Sequence, residues 1–185
     1  GDGKFDALWY QGGLPGNGYD GSKTQKLSGQ RIELKVELSG EGLMIELSAG
    51  RANVKNSGGA FLGSLIRQNR TSQTEGARPP ANAVVLFDGK ATDRLKNAKL
   101  TPDGLLEIGA ETTEPVQNFT LHAEFRIPYM PYARGQGRGN SGFYLQKRYE
   151  VQVLDSFGLE LQFNDCASLY RFKAPDMNMS FPPLR

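Results

Sequence analysis

The sequence predicts an all-β protein. Three observations carry this expectation. Apolar and polar residues alternate in short runs, with no convincing amphipathic-helix pattern. Glycine is abundant at 23 residues and is joined by 10 prolines, so turns are frequent. The strand-like runs recur at short spacing between turn signals, which argues a β-sandwich. At 185 residues, the chain is long enough for one medium domain or two small ones with a real core.

The elements follow in order. "YQGGLPGNGYDG" is a turn-rich loop holding Tyr10 and Tyr19, and loop tyrosines more often pack than contact sugar. "RIELKVEL" alternates strictly. Ile32, Leu34, Val36 and Leu38 share one face, and Arg31, Glu33, Lys35 and Glu37 share the other, as in one half-buried strand. "SGEG" then predicts a hairpin into "LMIEL". "FLGSLIRQN" is a further strand.

"TSQTEGARPPANA", Thr71 to Ala83, is polar, holds Pro79 and Pro80, and has no apolar period. It predicts a linker. A small β-rich module is therefore expected at 1–78 and a second domain at 83–185. In that domain "AVVLFDGK" predicts a buried strand ending in an Asp-Gly turn. "LTPDGLLEIG" predicts a hairpin turning at Pro102-Asp103-Gly104. "NFTLHAEFRIP" alternates again, with Phe119, Leu121, Ala123 and Phe125 opposite Thr120, His122, Glu124 and Arg126. Pro128 ends it, because proline cannot donate to a ladder.

Composition narrows the function classes. Lys plus Arg is 22 against 20 for Asp plus Glu, so no charge argument favours nucleic acid or an anionic membrane. No apolar run is long enough for a membrane-spanning helix. Cys166 is the single cysteine, which excludes an internal disulfide and a cysteine-rich zinc site. A packed thiol is the expected role, since free cysteine is commonly buried.

The informative stretch is "ARGQGRGNSGFYLQKRYEVQVLDS", Ala133 to Ser156. In "RYEVQVLD", period two points Tyr149, Val151 and Val153 one way and Arg148, Glu150 and Gln152 the other. The apolar set is expected to face a second sheet, which puts Glu150 and Gln152 outward. With His122, Glu124 and Arg126 on a neighbouring strand, this face would be a polar floor for a hydroxyl-rich ligand. The same pattern describes a solvated sheet face equally well. The glycine-rich loop before it allows close backbone approach, and Arg134 and Arg138 supply forked donors. "GRGNSG" formally fits G-x-G-x-x-G, but no strand precedes it and no helix follows, so a dinucleotide site is excluded.

"GRGNSGFYLQKRYEVQVLDSFG", with "LFDG" upstream, "LHAEFRIP" between and "NDCASLYRF" after, closely resembles the 3-keto-disaccharide hydrolase domain family. The resemblance covers Ala83 to Arg185. It implies a concanavalin A-like lectin/glucanase fold, a jelly-roll β-sandwich. Leu95 stands where the family commonly has tryptophan. Further strands after "FPPLR" are also implied, so this sandwich is expected to be incomplete at its carboxyl terminus. The amino-terminal segment resembles one that precedes this domain in some secreted bacterial members, which implies a secreted or periplasmic protein.

The implied substrate is a carbohydrate, a glycoside oxidised to a ketone at C3. Such a ketone acidifies the C2 proton, so a base can start an elimination at C1 that hydration completes. Candidate bases are Glu150, His122 and Glu124. Candidate substrate-binding residues are Arg134, Arg138, Asn140, Ser141, Tyr144 and Gln152; of these, Arg134, Arg138 and Asn140 are also candidates for stabilising an oxyanion. Oxygen and nitrogen donors from Glu150, Gln152, His122 and Glu124 would suit a divalent metal ion, although their spacing is no metal signature. A non-catalytic, lectin-like carbohydrate-binding module is the alternative on the same fold. A laminarinase-type glycosidase is disfavoured by Gln152, which stands where such enzymes often place an acid.

Overall fold

The computed structural model describes residues 2–15, 17–19 and 23–184. Of the tyrosine loop, Gly16, Asp20 and Gly21 lie outside the described residues, as do both chain ends. The protein is all-β. Its single helical element among the described residues is a 3-10 turn at Gly135–Gly137.

Six strands form one antiparallel sheet in sequence order: β1 (Lys4–Trp9), β2 (Gln25–Ile32), β3 (Lys35–Gly40), β4 (Leu43–Ser48), β5 (Arg51–Asn56) and β6 (Phe61–Ile66). One face buries Leu27, Leu38, Ile45, Ala52 and Val54, with Ala7, Trp9, Val36 and Leu43 packed against them. Register puts these residues in line: Ala7 opposes Leu27, Leu38 opposes Ile45, and Ile45 opposes Val54. Gly29 permits the tight crossing of β2 and β3, because a Cβ there would lie 1.7 Å from the Glu37 carbonyl oxygen.

The hairpin from β3 to β4 forms as expected, with Glu41 and Gly42 both at positive φ (46° and 87°) between the paired Gly40 and Leu43. That geometry matches the right-handed twist of the flanking strands. "RIELKVEL" does not form one strand. It folds back on itself, with Ile32 paired to Lys35 across Glu33 and Leu34. Leu34 is 95% exposed at the tip. Glu33 takes φ 54° there, a conformation for which the sequence shows no glycine or asparagine signal.

The chain groups into two compact units, residues 1–70 with 127–185, and residues 71–126. The first holds the six-stranded sheet and a hairpin of β9 (Ser141–Leu145) and β10 (Tyr149–Val153). Tyr10 and Tyr19 pack edge to face, with ring centroids 5.1 Å apart, and burial pushes the Tyr10 phenol pKa up, with Tyr19 and Glu160 adding to it.

The second unit holds β7 (Leu95–Lys96) paired with β8 (Glu111–Thr112). The turn at Pro102-Asp103-Gly104 forms, closed by Gly104 N–H donating to Thr101 O at 3.0 Å, with Leu100 bridging Leu106. The Asp-Gly turn forms too, as Asp88 Oδ1 accepts from the N–H groups of Lys90 and Ala91. The two strands expected around it do not. Val84 and Val85 are exposed, and 118–126 contains no strand. Alternation makes a segment competent for a sheet, but a strand also needs a neighbour for its N–H and C=O groups. Among the described residues neither segment is assigned to a ladder.

Candidate functional site

The site begins with the β9–β10 hairpin. Its register pairs Glu150 with Tyr144 and Gln152 with Gly142. These four residues share one face, and Phe143, Tyr149, Val151 and Val153 share the other. The period-two reading therefore sorted the side chains correctly. Ser141, paired with Val153, falls on the face opposite Tyr144 and Glu150.

Glu150 is half-buried and leans diagonally across Gly142. An ideal Cβ on Gly142 would lie 2.3 Å from Glu150 Oε1. Tyr144, 63% exposed, stands opposite. The neighbouring Glu150 carboxylate is the largest cause raising its phenol pKa, with desolvation and the charge of Tyr170 adding to it.

Gln152 corrects the expectation of an outward side chain. It is 2% exposed. A later segment covers this part of the face by pairing with the far edge of β10. Gln152 N–H donates to Ser168 O at 3.0 Å, Ala167 N–H to Gln152 O at 2.8 Å, and Tyr170 N–H to Glu150 O at 2.9 Å. Asp155, Ser156 and Ser168 are buried with Gln152. Outward position in a two-stranded hairpin gives exposure only until a third segment arrives, and period two does not encode that arrival.

The glycine-rich loop is tied to this buried layer. Gln136 Nε2 donates to Asn164 O at 2.9 Å. Gln136 Oε1 accepts from Gln152 Nε2 at 2.9 Å and from Asn140 Nδ2 at 3.2 Å. Asn140 Nδ2 also donates to Gln136 O at 3.0 Å. Arg138 donates through Nη2 to Asp155 Oδ2 at 2.5 Å, while Asp155 N–H donates back to Arg138 O at 3.0 Å. Arg134 Nη1 bonds the nearby carbonyl oxygens of Pro131 and Ala133, each at 2.8 Å. Arg134, Arg138 and Asn140, expected to face an oxyanion, thus hold protein partners. Arg138 Nε, Gln152 Oε1 and Ser168 Oγ are buried without one.

His122 and Glu124 belong to the second compact unit. His122 Nε2 lies 3.4 Å from Glu124 Oε1, which also accepts from Gly76 N–H at 2.7 Å. Both side chains are exposed. Among the described residues, no group of three or more His, Cys, Asp or Glu side chains is placed to hold a metal ion. Cys166 is half-buried, with its backbone N–H on Ser156 Oγ.

Sequence reasoning missed Gln136, Asn164 and Ser168. A glutamine within a glycine-rich loop carries no periodic signal, and its partners lie far along the chain. Asp155 ends the stretch that carries β10, and its partner Arg138 stands in the glycine-rich loop before it.

No curated protein and no solved structure matches the chain. Residues 82–185 match the family model described as a 3-keto-alpha-glucoside-1,2-lyase-like domain. The match takes in Glu150, Tyr144, Gly142 and the whole amide-rich loop, and it covers more than half of the sequence: the chain belongs to the 3-keto-alpha-glucoside-1,2-lyase-like domain family.

Proposed function

We propose that the protein cleaves glycosides carrying a ketone at C3, with Glu150 as the base. The observation that carries this reading is the seat of Glu150. Its carboxylate is half-buried, leans over Gly142 and raises the pKa of the Tyr144 phenol paired across the hairpin, inside the residues that match the family.

The chemistry suits one carboxylate. The C3 carbonyl acidifies the C2–H bond. Glu150 takes that proton, and the C2–H electrons pass into a C2–C3 enolate. The enolate expels the C1 substituent with its bonding pair, leaving a C1–C2 double bond. The departing oxygen takes up a proton, and water adding across the double bond gives net hydrolysis. This route does not require the acid-and-nucleophile carboxylate pair of ordinary glycosidases. Tyr144, paired with Glu150 across the hairpin, keeps a phenol proton on the reacting face.

Turnover of a chromogenic 3-keto-glucoside by the wild-type chain and by Glu150→Gln tests the reading. Release of the chromophore that falls with the substitution supports it. Retention on a glycan column without turnover by the wild-type chain would give the lectin-like alternative.

A further inference from the structure

The carbonyl oxygen of Asn164 can only accept, and it fixes a sequence of amide orientations. Gln136 must turn its nitrogen toward that oxygen, which lies 2.9 Å away. Gln136 Oε1 therefore faces the other way and requires donors. Gln152 Nε2 and Asn140 Nδ2 supply them. An amide nitrogen carries two hydrogens. Asn140 directs one to Gln136 Oε1 and the other to Gln136 O. Its donors are then fully used. The group that exposed Asn140 still offers is Oδ1, an acceptor for which the described residues give no hydrogen-bond partner.

We propose that Asn140 is a specificity residue that accepts a hydrogen bond from a hydroxyl of the glycoside, and that Gln136 positions it through both its backbone carbonyl and its side-chain oxygen. This rests on the reading of residues 82–185 as a 3-keto-glycoside site. The orientation rules out an oxyanion role for Asn140, because two acceptors repel. It favours a hydroxyl, which can donate. A contact of this kind rejects analogues that lack the donor, since the site's acceptor is then left unpaired. Asn140 is exposed, so the discrimination is that of an ordinary neutral hydrogen bond, about 2- to 10-fold.

The experiment uses 3-keto-glucosides modified at C4 or C6, away from the C2–H bond that is broken, each as the deoxy and the deoxyfluoro compound. Fluorine can accept weakly but cannot donate. In the wild-type chain, one position should show KM raised about 2- to 10-fold by both changes, with kcat nearly unchanged. In Asn140→Ala the penalty at that position should disappear. In Gln136→Leu the backbone carbonyl of residue 136 still accepts from Asn140 Nδ2 while the side-chain acceptor is lost, so both analogues should stay penalised at that position, by a smaller factor than in the wild-type chain.

The proposal is overturned if the wild-type chain tolerates fluorine at every position where it penalises the deoxy compound. It is also overturned if Asn140→Ala keeps every analogue penalty. Calorimetric binding of the same set separates the two levels of the reading. Binding with this pattern but without turnover sinks the proposed reaction and leaves the role of Asn140 standing. Absence of both binding and turnover sinks both.

Discussion

Gly142 and Glu150 meet in a volume that a glycine leaves open: a β-carbon on Gly142 would lie 2.3 Å from Glu150 Oε1 and 2.7 Å from Glu150 Cγ. A real Cβ cannot approach that closely, so the glutamate would have to leave its seat. Gly142→Ala should therefore displace the carboxylate while leaving the strand backbone unstrained. Turnover should fall by roughly 10²–10⁴-fold, the loss expected on removing a general base, with a stability change of about 1 kcal/mol or less. Gly137→Ala is the control, because the nearest atom to a Cβ there is Ala133 Cβ at 3.9 Å. Equal rates for both variants would remove Glu150 from the chemistry.

Glu150→Gln tests the same residue without moving it. The amide keeps the shape of the carboxylate but cannot take a proton. We expect turnover to drop by roughly 10²–10⁴-fold and stability to change by about 0.5 kcal/mol, the range of an ordinary surface substitution. Glu33→Gln, at the exposed tip of the β2–β3 turn, should leave the rate unchanged. If Glu150→Gln retains full rate, His122 and Glu124 become the bases to substitute next.

Where the sequence was legible, local chemistry decided the structure. Gly42 closed a hairpin and Gly104 closed the Pro102-Asp103-Gly104 turn, because glycine takes the positive φ found at both positions. The faces of β10 followed from alternation alone. Where it was not, the cause lay at a distance. Gln152 was sorted to the correct face but is buried by residues 167–170, which pair with the other edge of its strand. Residues 118–126 alternate as a strand should, yet have no ladder. Gln136 gains its place only once Asn164, Gln152 and Asn140 surround it. The carboxylate of the site could thus be named from sequence, whereas the amides that hold its loop could not.

The Arg138–Asp155 pair should stabilise the loop over the hairpin. Asp155 is 2% exposed at its side chain and Arg138 27%. Removing one member of a buried pair strands the other. Arg138→Leu leaves a buried carboxylate uncompensated and should cost about 3 kcal/mol in chemical denaturation, the lower end for such pairs because the arginine is partly exposed. Asp155→Asn strands an arginine that can still reach water and should cost less. A loss under about 1 kcal/mol for Arg138→Leu would show that the ion pair is not what fastens the loop.

In the second unit, Asp103 offers a test by titration. Its carboxyl pKa lies below the ordinary value, first because Thr101 Oγ1 donates to it and then because Arg126 does. A depressed folded pKa means that the folded turn favours the ionised form. Its contribution is therefore present above the ordinary carboxylate pKa and is lost as pH falls through the folded value. Carboxyl-carbon NMR should place the Asp103 midpoint below that of an unstructured aspartate. Thr101→Val should raise it, and so should Arg126→Gln by a smaller step. An unchanged midpoint in Thr101→Val would show that the hydroxyl does not set it.

Limited proteolysis should nick the chain first between Thr71 and Ala83. A protease needs several residues of extended chain in its cleft, so cleavage follows the segment that opens at the least cost. Residues 71–83 are exposed throughout. Their backbone bonds are short-range turn contacts, from Glu75 N–H to Ser72 O at 3.4 Å, Ala77 N–H to Thr74 O at 3.1 Å and Ala83 N–H to Pro80 O at 3.0 Å. One longer tie, from Gly76 N–H to Glu124, must also break. Strands β2 to β5 instead sit in ladders with a strand on either side, and β6 with one on its inner edge, so several of those bonds would have to open together. A glutamate-specific protease is the sharpest probe. Glu75 lies in the exposed segment, while Glu37 and Glu46 lie within β3 and β4. We expect the first cut after Glu75 and a surviving fragment that contains β1 to β6. A first cut after Glu37 or Glu46 would contradict 71–83 as the segment that opens at the least cost, and so would a first cut after Glu114 with Glu75 intact.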